Sequence, residues 1–135
     1  NLSEPSVENI KEIFGLTAKG DLWNFLDYVG NRDKSKAINE LLKLTAYEDT
    51  SQLIISLLQR EFRLITQVNV SRNNSEQIKS LAIPSFILKK TQTKSKNFTL
   101  KELKTYTERL FNLDYAIKSG EIDDKMGLTL FLLTL

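Results

Sequence analysis

The sequence has 135 residues, 41% hydrophobic and 27% charged, with a formal net charge of +2. That is a single domain's length of chain with enough apolar content for a packed core. It contains no cysteine and no histidine, which removes disulfides, thiolate chemistry, the usual neutral-pH general base and the commonest zinc ligands.

In chain order, apolar residues recur at three- and four-residue spacing almost throughout. The opening "NLSEPSVENIKEIF" lacks the basic start and apolar centre of a signal peptide. Without an initial methionine, it is expected to open a fragment of a longer protein. Ser6 is placed to cap a short helix through Phe14, with Val7, Ile10 and Phe14 on one face and Gly15 closing it. "LTAKGD" reads as a linker. Leu22, Phe25, Leu26 and Val29 predict the next helix, ended by Gly30. Asp33 caps another, in which Ala37, Ile38, Leu41 and Leu42 face inward.

"EDTSQLIISLLQREFRLITQV" predicts the longest helix of the first half, with Asp49 and Gln52 at capping-box spacing. Ile54, Leu57, Leu58, Phe62, Ile65 and Val68 form its stripe, with Glu61 as a polar edge position. Leu53, Ile55 and Leu64 widen the apolar arc, so this helix belongs at the centre. Asn74 and Gln77 open a short helix with Ile78 and Leu81 inside. Pro84 disfavours helical geometry at Ile83 and sets a break. Phe86, Ile87 and Leu88 then resume a helix from residue 84 to about residue 95, with Phe86 docking it and the following lysines on its wet face.

Thr99 and Glu102 make a further capping box, ahead of Leu103, Tyr106, Leu110, Leu113 and Ile117. Gly120 ends that helix, and a last one runs from about Asp123 to the terminus. Its tail "MGLTLFLLTL" is too short to span a bilayer as a helix. No strand pattern and no internal repeat is visible. The expected fold is all-α, a compact bundle of about seven or eight helices with antiparallel packing. Its expected core comprises Leu57, Leu58, Phe62, Ile65, Leu103, Tyr106, Leu110 and Leu113.

Little in the chain points to catalysis. The carboxylate pairs Glu48–Asp49 and Asp123–Asp124 lie at expected helix starts, where carboxylates cap amides. "AKGD" has too few glycines to cradle a phosphate. No catalytic, cofactor-binding or metal site is expected, and no cofactor. Lys89, Lys90, Lys94, Lys96, Lys101 and Lys104 cluster with only Glu102 against them. They are either a solvated helix face or a weak, non-specific contact for nucleic acid. Asp114 and Lys118 suit a surface ion pair. Arg60 and Arg63 flank Phe62, either bracketing a partner or covering neighbouring helices with their stems. Trp23, Tyr28, Tyr47 and Tyr115 are core-edge or contact aromatics.

The order of these segments resembles the carboxy-terminal domain of the delta subunit of bacterial DNA polymerase III, a clamp-loader subunit. The resemblance rests on "WNFLDYVGNRDKSKAINELLKL" at 23–44, "LLQREFRLITQV" at 57–68, "LAIPSFILKK" at 81–90 and "NFTLKELKTYTERLFNLDYAIKSGEID" at 97–123. In the third phrase the family has glycine at Ala82, histidine at Pro84 and proline at Ser85. The resemblance covers about residues 22–135. It implies that residues 1–21 are the tail of a preceding ATPase-like module and its linker, and that 22–135 are a helical collar.

Such a collar packs against the collar domains of other clamp-loader subunits, in the assembly that places a sliding clamp on primed DNA during replication. The fragment is then a cytoplasmic, non-catalytic scaffold with no membrane contact and no strong homodimer. It meets DNA and clamp mainly through the whole complex. The expected partner interface is the last helix, through Leu128, Leu130, Phe131, Leu132 and Leu133, with Arg60 and Arg63 as polar neighbours. The alternatives are a nucleic-acid-binding domain using the lysines of residues 89–104, with Lys89, Lys90 and Lys94 in contact, or a helical adaptor unrelated to replication.

Overall fold

The computed structural model describes residues 20–46 and 50–135. Among these residues seven helices follow one another and there is no strand. They are α1 (20–30), α2 (Lys34–Leu44), α3 (Ser51–Ser71), α4 (Ser75–Ser80), α5 (Ser85–Ser95), α6 (Leu100–Lys118) and α7 (Asp124–Leu133). The bundle is therefore all-α, as the periodicity predicts. The Ser6–Phe14 helix, Tyr47 and the Glu48–Asp49 pair with its capping role lie outside the described residues.

Helix starts follow capping chemistry. The carboxylate or amide oxygens of Asp33, Asn74 and Asp123 accept from the backbone N–H groups of Lys36, Gln77 and Met126. Thr99 and Glu102 complete a reciprocal box. Each such cap satisfies an orphan amide and contributes about 1 kcal/mol. α3 starts differently. Thr50 is its N-cap without a side-chain bond to the helix, and its hydroxyl donates instead to the Leu44 carbonyl at 3.0 Å, tying α2 to α3.

Helix stops hold two surprises. Gly120 takes the left-handed conformation that its position predicts, with φ +78°. After α1, however, the left-handed residue is Arg32 (φ 59°), while Gly30 remains helical. Before Pro84 the left-handed residue is Ala82 (φ 53°), at the position where the resembled phrase carries glycine. A Cβ in that conformation costs about 1–2 kcal/mol. Pro84 itself stands just outside α5 as its N-cap, extended at φ −53° and ψ 143°.

α3 is the central helix and packs against α4, α5, α6 and α7, while α7 also packs against α2 and α6. Phe62 sits at the middle, with its ring centroid 5.6 Å from Phe98, 5.4 Å from Tyr106 and 6.1 Å from Phe131. Seven of the expected core residues are buried, and Leu113 packs half-buried against them. Some expectations fail on the outer helices. α4 buries nothing, so Ile78 and Leu81 are only half-covered, and Leu42 is exposed. Phe86 is 70% exposed and does not dock α5. The residues that α5 buries are Thr91, Lys94 and Ser95.

Candidate functional site

That polar attachment of α5 centres on Lys94. Its ammonium lies 2.6 Å from Glu61 Oε2 on α3 and 2.9 Å from Asp27 Oδ1 on α1. Lys90 adds a second ammonium to Asp27 at 3.2 Å. The Lys94 stem runs over Gly30, where a Cβ would come within 2.4 Å of its Cδ. Glycine there is what allows α5 to lie so close to α1. Burial pushes the Glu61 carboxyl above its ordinary range despite Lys94. Burial also works to raise Asp27, but Lys94 and Lys90 outweigh it and hold that carboxyl low. Lys94 is kept protonated in the same way, with Glu61 and Asp27 overcoming its desolvation. Glu61, expected at a polar edge, is thus a buried anchor.

A second junction forms around Arg32. Its guanidinium donates to the Asn97 carbonyl (3.0 Å), to Glu102 Oε2 (2.8 Å) and to the Tyr106 hydroxyl (2.9 Å). It also lies 4.9 Å from the centroid of the Phe98 ring, a favourable cation–π distance. The Tyr106 hydroxyl in turn donates to the Thr134 carbonyl at 2.7 Å. The Asn97 amide returns to the Gly30 carbonyl at 2.9 Å. Two hydrogen bonds, from Arg32 to Tyr106 and from Tyr106 to Thr134, therefore join the α1–α2 turn to the end of α7. The Thr99 amide and then Arg32 lower the Glu102 carboxyl.

α7 divides into two faces. Leu128, Phe131 and Leu132 are buried in the core, which withdraws them from the expected partner interface. The core lacked a wall on that side, and these three residues close it. Met126, Leu130 and Leu133, four and three apart, form one outward stripe at 56%, 49% and 50% exposure. On α6, Phe111 and Tyr115 are also exposed, one turn apart. Arg60 and Arg63, the expected polar neighbours of that face, lie on α3. Phe62 faces α7, and Arg60 projects about 200° around α3 from it, on the side where its charge reaches Glu61. Arg63 is exposed.

The lysine cluster is likewise split. Lys94 is buried between its carboxylates and is removed from the solvent-facing set, whereas Lys89, Lys90, Lys96, Lys101 and Lys104 are exposed. Trp23 and Tyr28 pack half-buried at the core edge. Asp114 and Lys118 form the expected pair at 3.0 Å. Among the described residues no group of three or more His, Cys, Asp or Glu side chains could hold a metal ion. No described helix is long and apolar enough to cross a membrane.

The chain is 25% identical over 136 residues to the DNA polymerase III subunit delta of Bacillus subtilis (strain 168), covering 98% of this chain and 39% of that protein. It superposes on the solved Bacillus subtilis DNA clamp loader delta protein with a TM-score of 0.73 at 23% identity, over 97% of this chain and 40% of that one. The chain thus spans about two-fifths of the length of these relatives. The family model described as the DNA polymerase III delta subunit, C-terminal domain, matches residues 19–135, and the chain belongs to that family.

Proposed function

We propose that this chain is the collar segment of a clamp-loader delta subunit. It is a non-catalytic, cytoplasmic scaffold that packs against the collar domains of other subunits in the assembly that loads the sliding clamp onto primed DNA. Residues 1–21 are the end of the preceding module and its linker. Family membership supports the setting. The observation that carries the mechanism is the outward stripe of α7, where Met126, Leu130 and Leu133 remain about half exposed after the core has taken Leu128, Phe131 and Leu132.

Three apolar side chains on one helical stripe suit ridge-into-groove contact with a helix of another subunit. A stable interface needs about 1,000 Å² of total burial, more than three side chains supply, and Phe111 and Tyr115 on α6 are the nearest further apolar candidates in chain order. The partner is a different subunit, because the scaffold's task is to join unlike chains. Burial of Lys94 takes one of the three expected lysines out of reach of a nucleic acid and disfavours that reading. Mixing the full chain with the ATPase-bearing subunits of the same organism, crosslinking and mapping the products tests the proposal. Crosslinks are expected beside Met126, Leu130 and Leu133. Crosslinks confined to other helices refute that face, and no association at micromolar concentrations refutes the scaffold.

A further inference from the structure

An open groove of about 480 Å³ lies between α6 and α7. Gly127, near the start of α7, meets Leu113, and Thr134, after its end, meets Tyr106, so the two helices run antiparallel. A Cβ at Gly127 would come within 2.5 Å of Leu113 Cδ1, and glycine there lets α7 sit close and keeps the floor low. Leu113 and Ala116 of α6 and Leu130 of α7 give the groove apolar walls. Leu130 also belongs to the outward stripe of α7, so the groove continues that face toward α6.

Its charges are ordered by position. Arg109 at one end and Glu121 at the other are the two charged residues that line it, and both are exposed. The Arg109 guanidinium lies 5.6 Å from the Tyr106 ring centroid. Among the described residues, no ion pair or side-chain hydrogen bond takes up the charge of either one. From Arg109 to Lys118, the last residue of α6, the helix rises about 14 Å, and Glu121 lies beyond. Exposed charges more than about 8 Å apart are largely screened at physiological salt, so neither cancels the other.

An apolar middle with opposite charges at the two ends, set between two helices, suits a third helix. A phosphate backbone would find one cation there and a carboxylate against it. Two copies of the groove facing each other would pair the same charges, but two concave surfaces leave the middle unfilled. We infer that the groove receives an amphipathic helix of another protein chain. That helix seats apolar side chains on Leu113, Ala116 and Leu130, sets a carboxylate against Arg109 and sets a cation against Glu121. Such docking rests on α7 being the partner face, as proposed above, and specifies which helix that face takes.

The test measures the affinity of the full chain for the ATPase-bearing subunits of the same organism, by calorimetry at low and at high salt. Arg109→Glu and Glu121→Lys should each weaken it about tenfold at low salt and by less at high salt. Ala116→Trp, which fills the groove, should weaken it at least as much. Lys104→Glu and Glu108→Lys make the same changes of net charge at exposed positions of α6 outside the groove and should leave the affinity unchanged. Unchanged affinity in either groove reversal, or equal losses in the two controls, overturns the inference. If Leu130→Asp/Leu133→Asp still abolishes binding in that case, the α7 face stands and only the groove assignment fails. No association by the folded wild type ends both. Self-association of the wild type that is lost in Arg109→Glu also overturns the inference and assigns the groove to a second copy.

Discussion

Lys94→Met removes the ammonium that stands between Glu61 and Asp27 while keeping an unbranched stem to lie along Gly30. The apolar contacts of the stem survive, so the loss is electrostatic. Lys94 and Glu61 side chains are 9% and 11% exposed and 2.6 Å apart. Stranding one member of such a buried pair costs about 3–5 kcal/mol. The lower end applies here, because Asp27 keeps Lys90 and Arg60 still acts on Glu61. A cost of about 3 kcal/mol is a large part of the roughly 5–15 kcal/mol that holds a small domain together.

Urea unfolding of the wild type, Lys94→Met and Glu61→Leu/Lys94→Met measures it. The double variant should recover most of the loss, since it leaves no buried charge unpaired. The pH dependence has a definite sign. Burial already raises Glu61 above its usual 4.5, and losing the ammonium raises it further. A carboxyl whose folded pKa exceeds its unfolded value is penalised only where it is ionised. The deficit of Lys94→Met should therefore be full above the folded pKa and shrink as pH falls toward 4.5. Loss of the Lys94 contribution to Asp27 has the same sign, because that stabilisation exists only above the unfolded Asp pKa. A cost below about 1 kcal/mol, or a double variant no more stable than the single, refutes the description of a buried ion cluster.

Substitutions at three other positions probe the fold. Gly30→Ala places a Cβ against the Lys94 stem and should cost about 1–3 kcal/mol; in a double-mutant cycle with Lys94→Ala, which removes that stem, the two losses should be less than additive, and simple additivity contradicts the contact. Ala82→Gly relieves a left-handed alanine and should raise the urea midpoint, with a gain of about 0.5–1 kcal/mol; an unchanged or lower midpoint goes against it. Arg32→Ala and Arg32→Gly should both be less stable than the wild type and should speed hydrogen exchange at the end of α7. The glycine variant should be the milder by about 1 kcal/mol, and equal losses contradict a left-handed cost at Arg32.

How far the sequence could be read depends on whether a feature is local. Caps at Asp33, Asn74, Thr99 and Asp123 lie within three residues of the amides they serve, and the stripe of α3 lies within one helix, so both are legible. Lys94 is different. It reads as one of six lysines in a wet run, and only the approach of α1 and α3 makes it buried, with Glu61 33 residues away. A charged residue beside an apolar stripe, like Glu61, was the available signal. Arg32 finds Glu102 and Tyr106 at separations of 70 and 74 residues, which no periodicity reveals. Phe86 misleads because an aromatic residue after a break suggests docking, whereas α5 is held by polar groups on its other end. On α7 the apolar residues outnumber one stripe, and spacing alone does not tell which of them the core takes.

The central claim is that α7 presents a partner face through the residues left outside the core. The most direct measurement is the affinity of the full chain for the ATPase-bearing subunits of the same organism, by calorimetry, for the wild type and for Leu130→Asp/Leu133→Asp. Both leucines are about half exposed, so the variant should retain its fold and helical content by circular dichroism. The account predicts micromolar or tighter association for the wild type and a loss of about a hundredfold or more in the variant, as expected when two interface anchors are replaced by charges. An affinity unchanged in a folded variant, or no association by the folded wild type, contradicts it.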